Sequence, residues 1–127
     1  MPQVSQLGRV MVPVSDQDKA IDWYKDKLGF VVAADVAYGE GDRWVEVSPP
    51  EGNANVALVP PMGGGEWAVG RMTGIAFEST DLDADYEELK SKGVECEDPM
   101  GGDETVPRMF FFKDGDGNQL LLVQATQ

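Results

Sequence analysis

The chain has 127 residues and a mass of 13.8 kDa, which suits a single domain with a hydrophobic core. Its 10 basic and 23 acidic residues give a formal net charge of −13, which argues against nucleic acids and anionic membranes as partners because both attract basic surfaces. Histidine is absent, which removes histidine-based catalysis and most transition-metal sites; the one cysteine, Cys96, excludes an internal disulfide and favours a cytoplasmic location.

The first half of the chain predicts a strand, a helix and three further strands. The alternating segment Arg9–Asp16 predicts a strand that leads into a helix. That helix is expected over about Asp16–Leu28, with Ser15 or Asp16 as its N-terminal cap and Gly29 as its stop. The extended segments that follow are Phe30–Ala34, Arg43–Ser48 and Asn55–Val59.

The same order of elements repeats in the second half. The segment Gly74–Asp81 follows Arg9–Asp16 by 65 residues, and a helix is expected over about Leu82–Lys92, ending at Gly93. The extended segments that follow are Val94–Cys96, Arg108–Phe112 and Gln119–Val123.

The repeat predicts an α+β fold of two tandem βαβββ modules within one domain. The modules are expected at about residues 7–60 and 72–125, with a linker rich in proline and glycine at about 61–71. A helix between two strands, followed by hairpins, predicts a mixed sheet with the helix on one face. We expect the two modules to form a curved half-barrel with the helices outside and a cleft inside.

Side-chain alternation along the strands predicts which residues face the cleft. The face under the helices is expected to hold Val10, Val12, Val14, Val45, Val47, Val56, Leu58, Ile75, Phe77, Phe110, Phe112, Leu120 and Leu122. The candidate ligand-binding residues are Arg9, Met11, Tyr38, Trp44, Glu46, Asn55, Trp67, Met72, Met109, Phe111, Gln119 and Leu121. Because this set is mostly apolar with a few polar anchors, it is typical of a small-molecule site.

Several motifs add a family resemblance that covers nearly the whole chain. They are Val14–Asp16, Ala20–Tyr24, Leu28–Phe30, Tyr86–Leu89, Gly93 and Phe112–Asn118. With the duplication, they resemble the vicinal oxygen chelate superfamily, also called the glyoxalase/bleomycin-resistance/dioxygenase fold. The last motif is similar to the family's F-x-D-P-D-G-N pattern, with Gly115 where proline is usual. The resemblance supports the fold more strongly than any one function.

The resemblance also implies where a divalent metal would bind in the family's enzymes. The four ligand positions fall on Arg9, Ala57, Gly74 and Leu121. Alanine, glycine and leucine side chains offer no ligand atom, and arginine is a permanent cation. Single oxygen ligands from neighbours would not rebuild a cage; these neighbours are Glu46, Asn55, Glu78 and Gln119. We therefore expect no metal and no other cofactor.

The function indicated is metal-independent binding of a small molecule. Within the resembled family, the antibiotic-binding members are non-enzymatic homodimers that sequester a drug, and we expect a homodimer here. The expected ligand is aromatic or apolar, and a cationic group would help its capture by the acidic chain. One alternative is a lyase or isomerase that works without the usual metal ligands, with Glu46 or Tyr38 as general base. The other is a structural or regulatory dimer whose cleft is closed.

Most of these signals also have a purely structural interpretation. Trp44 and Phe111 could fill a core, and Trp67 could anchor a dimer. Arg9 must meet either a ligand or a carboxylate, of which Glu46 is the nearest candidate in the pattern. The segment Asp114–Asn118 favours a hairpin turn over a calcium loop, because the acidic residue that would close such a loop is missing.

Overall fold

The structure, a computed structural model, describes residues 2–52, 54–61 and 68–125. The chain divides into two compact units, Met1–Trp67 and Ala68–Gln127. Within these described ranges, each unit contains one helix packed on one mixed sheet, as the α+β repeat predicts. Within the described ranges, neither helix is long and apolar enough to span a membrane.

The first unit is a complete βαβββ module. Its elements are β1 (Arg9–Pro13), α1 (Gln17–Leu28), β2 (Val31–Tyr38), β3 (Asp42–Ser48) and β4 (Asn55–Val59). The sheet order is β1-β4-β3-β2, in which β1 and β4 are parallel and the other neighbours are antiparallel. Strand β2 extends four residues beyond the predicted end at Ala34, because it pairs with β3 as far as Tyr38 and Asp42.

Helix α1 begins and ends where capping chemistry predicts. The side chain of Asp16 accepts a hydrogen bond from the backbone N–H of Lys19, which satisfies one donor of the first turn. At the other end, Gly29 has a φ of 72°, a conformation that favours glycine, and its N–H returns to the carbonyl of Lys25. Ala20 and Tyr24 are the buried residues of α1.

The residues of the first unit that were predicted to lie under the helix are buried, except Val10. The side chains predicted to lie under α1 alternate along β1, β3 and β4, and residues of the opposite face, Glu46, Ser48, Ala57 and Val59, are also buried. Exposed fractions are 0–1% for Val12, Val14, Val45, Val47, Val56 and Leu58. Val10, at the start of the series, is half-buried. The ring of Phe30, which precedes β2 instead of opening it, lies 5.8 Å from that of Tyr24.

The second unit has a shorter sheet than the first. Its elements are β5 (Met72–Ser79), α2 (Leu82–Ser91), β6 (Met109–Lys113) and β7 (Gln119–Gln124). The sheet order is β5-β7-β6, with β5 parallel and β6 antiparallel to β7. Isolated bridges from Cys96 to Phe112 and from Met100 to Met109 stand in place of the strand predicted over Val94–Cys96. Pro99 lies between these bridges and has no N–H for a continuous ladder.

The core of the second unit follows the predicted alternation in β6 and β7. Phe110, Phe112 and Leu120 are at most 1% exposed, and Leu122 is 8% exposed. Residues Ile75 and Phe77 of β5, predicted to lie under the helix, are half-buried. From α2, which is capped by Asp81, the residues Leu82 and Leu89 are buried.

The Asp114–Asn118 segment forms a buried turn. The carboxylate of Asp114 accepts hydrogen bonds from the backbone N–H groups of Asp116 and Asn118, and from the side-chain amide of Asn118. The amide oxygen of Asn118 in turn accepts from the N–H of Gly70 at 2.9 Å. These contacts tie the β6–β7 hairpin to the segment before β5, which fits the predicted turn.

Candidate functional site

A buried carboxylate is the centre of the candidate site in the first unit. Glu46 accepts hydrogen bonds from Arg9 Nε at 2.9 Å, Trp44 Nε1 at 2.5 Å and Asn55 Nδ2 at 2.7 Å. The Arg9 and Trp44 bonds end on Oε2 and the Asn55 bond ends on Oε1, so both carboxylate oxygens are engaged. These four residues, called the Glu46 cluster below, were all predicted as ligand-binding residues.

Strand register explains why the cluster forms. Arg9 on β1 is the parallel partner of Asn55 on β4, and Glu46 on β3 is the antiparallel partner of Ala57 on the same β4. Because side chains two positions apart share a face, Trp44 lies on the face of Glu46, and Asn55 on that of Ala57. The sheet thus brings three donors around one acceptor. The Arg9–Glu46 ion pair, expected as one fate of Arg9, is confirmed.

Burial and hydrogen bonding act in opposite directions on the Glu46 carboxylate. Glu46 is 4% exposed, and this burial raises its pKa. The hydrogen bonds from Trp44 and Asn55, together with the charge and hydrogen bond of Arg9, lower it more. The net pKa lies below the ordinary glutamate value, so Glu46 is ionised at neutral pH.

The same sheet face carries apolar side chains beside the cluster. Met11 on β1 is half-buried and pairs with Ala57, while Val36 on β2 pairs with Trp44. The indole of Trp44 is half-buried, with its N–H bonded to Glu46. Tyr38 lies at the end of β2 and is 52% exposed. Among the described residues, Tyr38 is not a hydrogen-bond partner of Glu46.

In the second unit, the centre of the corresponding sheet face is apolar. Phe111 on β6 pairs with Leu121 on β7, which pairs with Ala76 on β5. Met109 pairs with Val123 one step along the same face. All of these except the exposed Ala76 are half-buried, whereas their sequence neighbours in β6 and β7 fill the core. The structure therefore brings Met109, Phe111 and Leu121 together as predicted neighbours.

The remaining predicted residues have less defined roles. Gln119 donates to Glu97 Oε2 at 2.8 Å. The partner Glu97 was not predicted, because it follows the isolated bridge at Cys96 and nothing in the strand pattern indicated that position. Met72 opens β5 and is 54% exposed. Trp67 lies outside the described residues.

The residues at the family's metal positions do not fit a divalent cation. Ala57 is fully buried in β4, and Leu121 is half-buried in β7. Gly74 has a φ of 75° at an irregularity in the β5–β7 ladder, and Arg9 carries a positive charge. Elsewhere in residues 2–52, 54–61 and 68–125, no group of three or more His, Cys, Asp or Glu side chains could hold a metal ion.

Comparisons with known proteins extend over both units. The sequence model of the Glyoxalase/Bleomycin resistance protein/Dioxygenase superfamily matches residues 6–122. The uncharacterized protein YetH of Bacillus subtilis (strain 168) is 36% identical over 123 residues, which is 94% of this chain and 98% of YetH. The structure of TnmS3, an antibiotic binding protein from Streptomyces sp. CB03234, is 32% identical with a TM-score of 0.83, covering 99% of this chain and 100% of that one. A superfamily member from Sphaerobacter thermophilus DSM 20745 is 33% identical with a TM-score of 0.86, covering 96% and 98%.

Proposed function

The chain belongs to the glyoxalase/bleomycin resistance protein/dioxygenase superfamily, and from this premise we propose that it binds a flat aromatic small molecule without a metal. The observation that carries the proposal is the Glu46 cluster, which fixes Trp44 on one sheet face of the first unit. The likeness to TnmS3, an antibiotic binding protein, supports antibiotic sequestration as the biological form of this binding.

Trp44 is suited to act as a stacking platform. Its indole N–H is already satisfied by Glu46, so the ring does not need a further polar partner when a ligand covers it. A ring held in place by a hydrogen bond loses little conformational freedom when a ligand stacks on it. Met11 and Val36 on the same face add apolar area beside it.

The geometry supports binding better than general-base catalysis by Glu46. A general base needs a free lone pair directed at its substrate and a pKa near the working pH. Three donors within the chain occupy most of the lone pairs of Glu46, and its lowered pKa makes the carboxylate a weak base at neutral pH. Because the metal positions also lack donors, the residues fit a ligand-holding role.

Charge and surface composition support the finer parts of the proposal. The net charge of −13 would attract a ligand that carries a cationic group, and added salt would weaken that attraction. For the homodimer, support comes from edge strand β2, where Val31, Val32 and Val36 are exposed. The single cysteine is compatible with action in the cytoplasm.

The test is calorimetric titration of a panel of planar aromatic compounds against the wild type and two variants. Trp44→Ala should weaken binding by on the order of 1–3 kcal/mol, as expected for a buried aromatic anchor. Trp23→Ala is the matched control, because Trp23 lies on α1 and its ring packs against Tyr24. The control should leave the affinity unchanged.

Two results would contradict the proposal. If no compound binds the wild type more tightly than millimolar, the chain is not a sequestration protein and the closed-cleft dimer becomes the better account. If a compound binds but Trp44→Ala and Trp23→Ala have equal effects, the ligand site lies elsewhere on the chain.

A further inference from the structure

The guanidinium of Arg9 is anchored on one side and open on the other. Its Nε donates to Glu46, whose side chain is only 6% exposed, whereas the Arg9 side chain is 52% exposed. Guanidinium carries five N–H donors in a rigid plane, and Nε supplies one of them. Among the described residues, Glu46 is the only ion-pair partner of Arg9, and the bond uses Nε. The two terminal nitrogens of the guanidinium are therefore available to bind a ligand.

The anchored guanidinium lies next to the Trp44 ring. Arg9 Nε and Trp44 Nε1 both donate to the same atom, Glu46 Oε2. A flat ligand stacked on Trp44 therefore lies beside the terminal N–H donors of the Arg9 guanidinium. These donors match a carbonyl oxygen whose carbon is attached to the aromatic ring of the ligand.

Charge decides between an uncharged acceptor and an anion. Glu46 already neutralises Arg9 at 2.9 Å, so a carboxylate ligand would bring a second negative charge to one cation. The chain's net charge of −13 adds a long-range repulsion against anions. A carbonyl oxygen accepts hydrogen bonds from Arg9 without adding a negative charge beside Glu46 and without being repelled by the acidic chain.

We propose that Arg9, positioned by Glu46, binds the carbonyl oxygen of an aromatic ligand that carries no negative charge and whose ring stacks on Trp44. This inference rests on the proposed function and names the ligand class for the same site. Arg9 is here a specificity-determining residue: it selects the polar group, while Trp44 holds the ring. Glu46 is a positioning residue that acts through both of them.

Equilibrium dialysis with three probes of nearly equal shape tests the proposal. The probes are 2-acetonaphthone, which has a carbonyl, 2-isopropylnaphthalene, which has no oxygen, and 2-naphthoate, which is an anion. The ketone should bind the wild type about 10- to 100-fold more tightly than the hydrocarbon, the range for one hydrogen bond to a charged donor. The naphthoate should bind more weakly than the ketone.

Variants assign the effect to Arg9. Arg9→Gln should remove the preference for the ketone and leave the hydrocarbon's affinity unchanged. Arg9→Lys keeps the positive charge near Glu46 but loses the planar fork, so it should retain only part of the preference. The matched control is Arg43→Gln, which removes the same charge from an arginine that pairs with Asp18 and Asp35. It should keep the full preference.

The outcomes separate this inference from the proposed function. Equal binding of ketone and hydrocarbon would overturn the role of Arg9 while leaving aromatic binding at Trp44 intact. Tightest binding of the naphthoate would overturn the exclusion of negatively charged ligands in favour of an anionic ligand. Failure of all three probes to bind the wild type would count against the proposed function and this inference together.

Discussion

Replacing Glu46 by alanine tests the central arrangement most directly. The change removes a buried acceptor and leaves the side-chain donors of Arg9, Trp44 and Asn55 without their partner. A hydrogen bond to a charged group is worth about 1.5–3 kcal/mol, and this range applies to the part-buried Trp44 and Asn55 bonds. Arg9 is half exposed and can turn into water, so its share is about 0–1 kcal/mol. We expect Glu46→Ala to lower the free energy of unfolding by about 3–7 kcal/mol, the sum of these three contributions.

Urea denaturation followed by far-ultraviolet circular dichroism measures this loss. Glu46→Gln is the isosteric control, because its amide keeps one acceptor oxygen but presents N–H groups to a cluster of donors. It should fall between the wild type and Glu46→Ala. Glu78→Ala is the surface control: Glu78 is exposed on β5, and its replacement should change the free energy of unfolding by less than about 0.5 kcal/mol.

The relative stabilities of the three variants show whether Glu46 anchors the cluster. If Glu46→Ala costs no more than Glu78→Ala, the donors find water as readily as they find Glu46, and the cluster is not the fixed anchor described above. If Glu46→Gln is as stable as the wild type, the negative charge contributes nothing and the Arg9 pair has no energetic role.

Two further predictions concern pH and assembly. Because the folded pKa of Glu46 lies below its ordinary value of 4.5, the unfolded chain binds its proton first as the pH falls. The wild type should therefore be more stable than Glu46→Gln at neutral pH, and this difference in the free energy of unfolding should disappear as the pH falls through the lowered pKa. If denaturation curves measured between pH 7 and 3 give the same difference at every pH, this prediction is wrong. In sedimentation equilibrium at micromolar concentration, we expect a homodimer of about twice the 13.8 kDa chain mass, and a monomer would count against it.

Local pattern was sufficient to predict most of the fold. Alternation placed Val45 and Val47 in the core, and it sorted Phe110 from Phe111 within an unbroken apolar run. This worked because a one-residue error in β3 would place the polar side chains of Glu46 and Ser48 among the core residues. The capping residues fixed the helix ends for the same local reason.

The contacts that the sequence did not predict depend on how strands far apart in the chain align with one another. An Arg9–Glu46 pair was one expected interpretation, but the convergence of Trp44 and Asn55 on the same carboxylate depends on how β3 aligns with β4. Likewise, Glu97 meets Gln119 only because an isolated bridge brings its segment to β6. Pairings between residues far apart in the chain leave no local pattern.

The internal repeat shows why the Glu46 cluster has to be considered as a set. Glu46 pairs with Ala57 in the first unit as Phe111 pairs with Leu121 in the second, so the two positions are equivalent in register. At the repeat positions of Arg9, Trp44 and Asn55, the second unit has Gly74, Met109 and Gln119. A carboxylate at the half-buried position of Phe111 would find neither the cation nor the indole donor that Glu46 has, and an unpaired carboxylate there would be costly. A phenylalanine needs no such partners, which explains why one unit has a carboxylate at this position and the other has an apolar side chain.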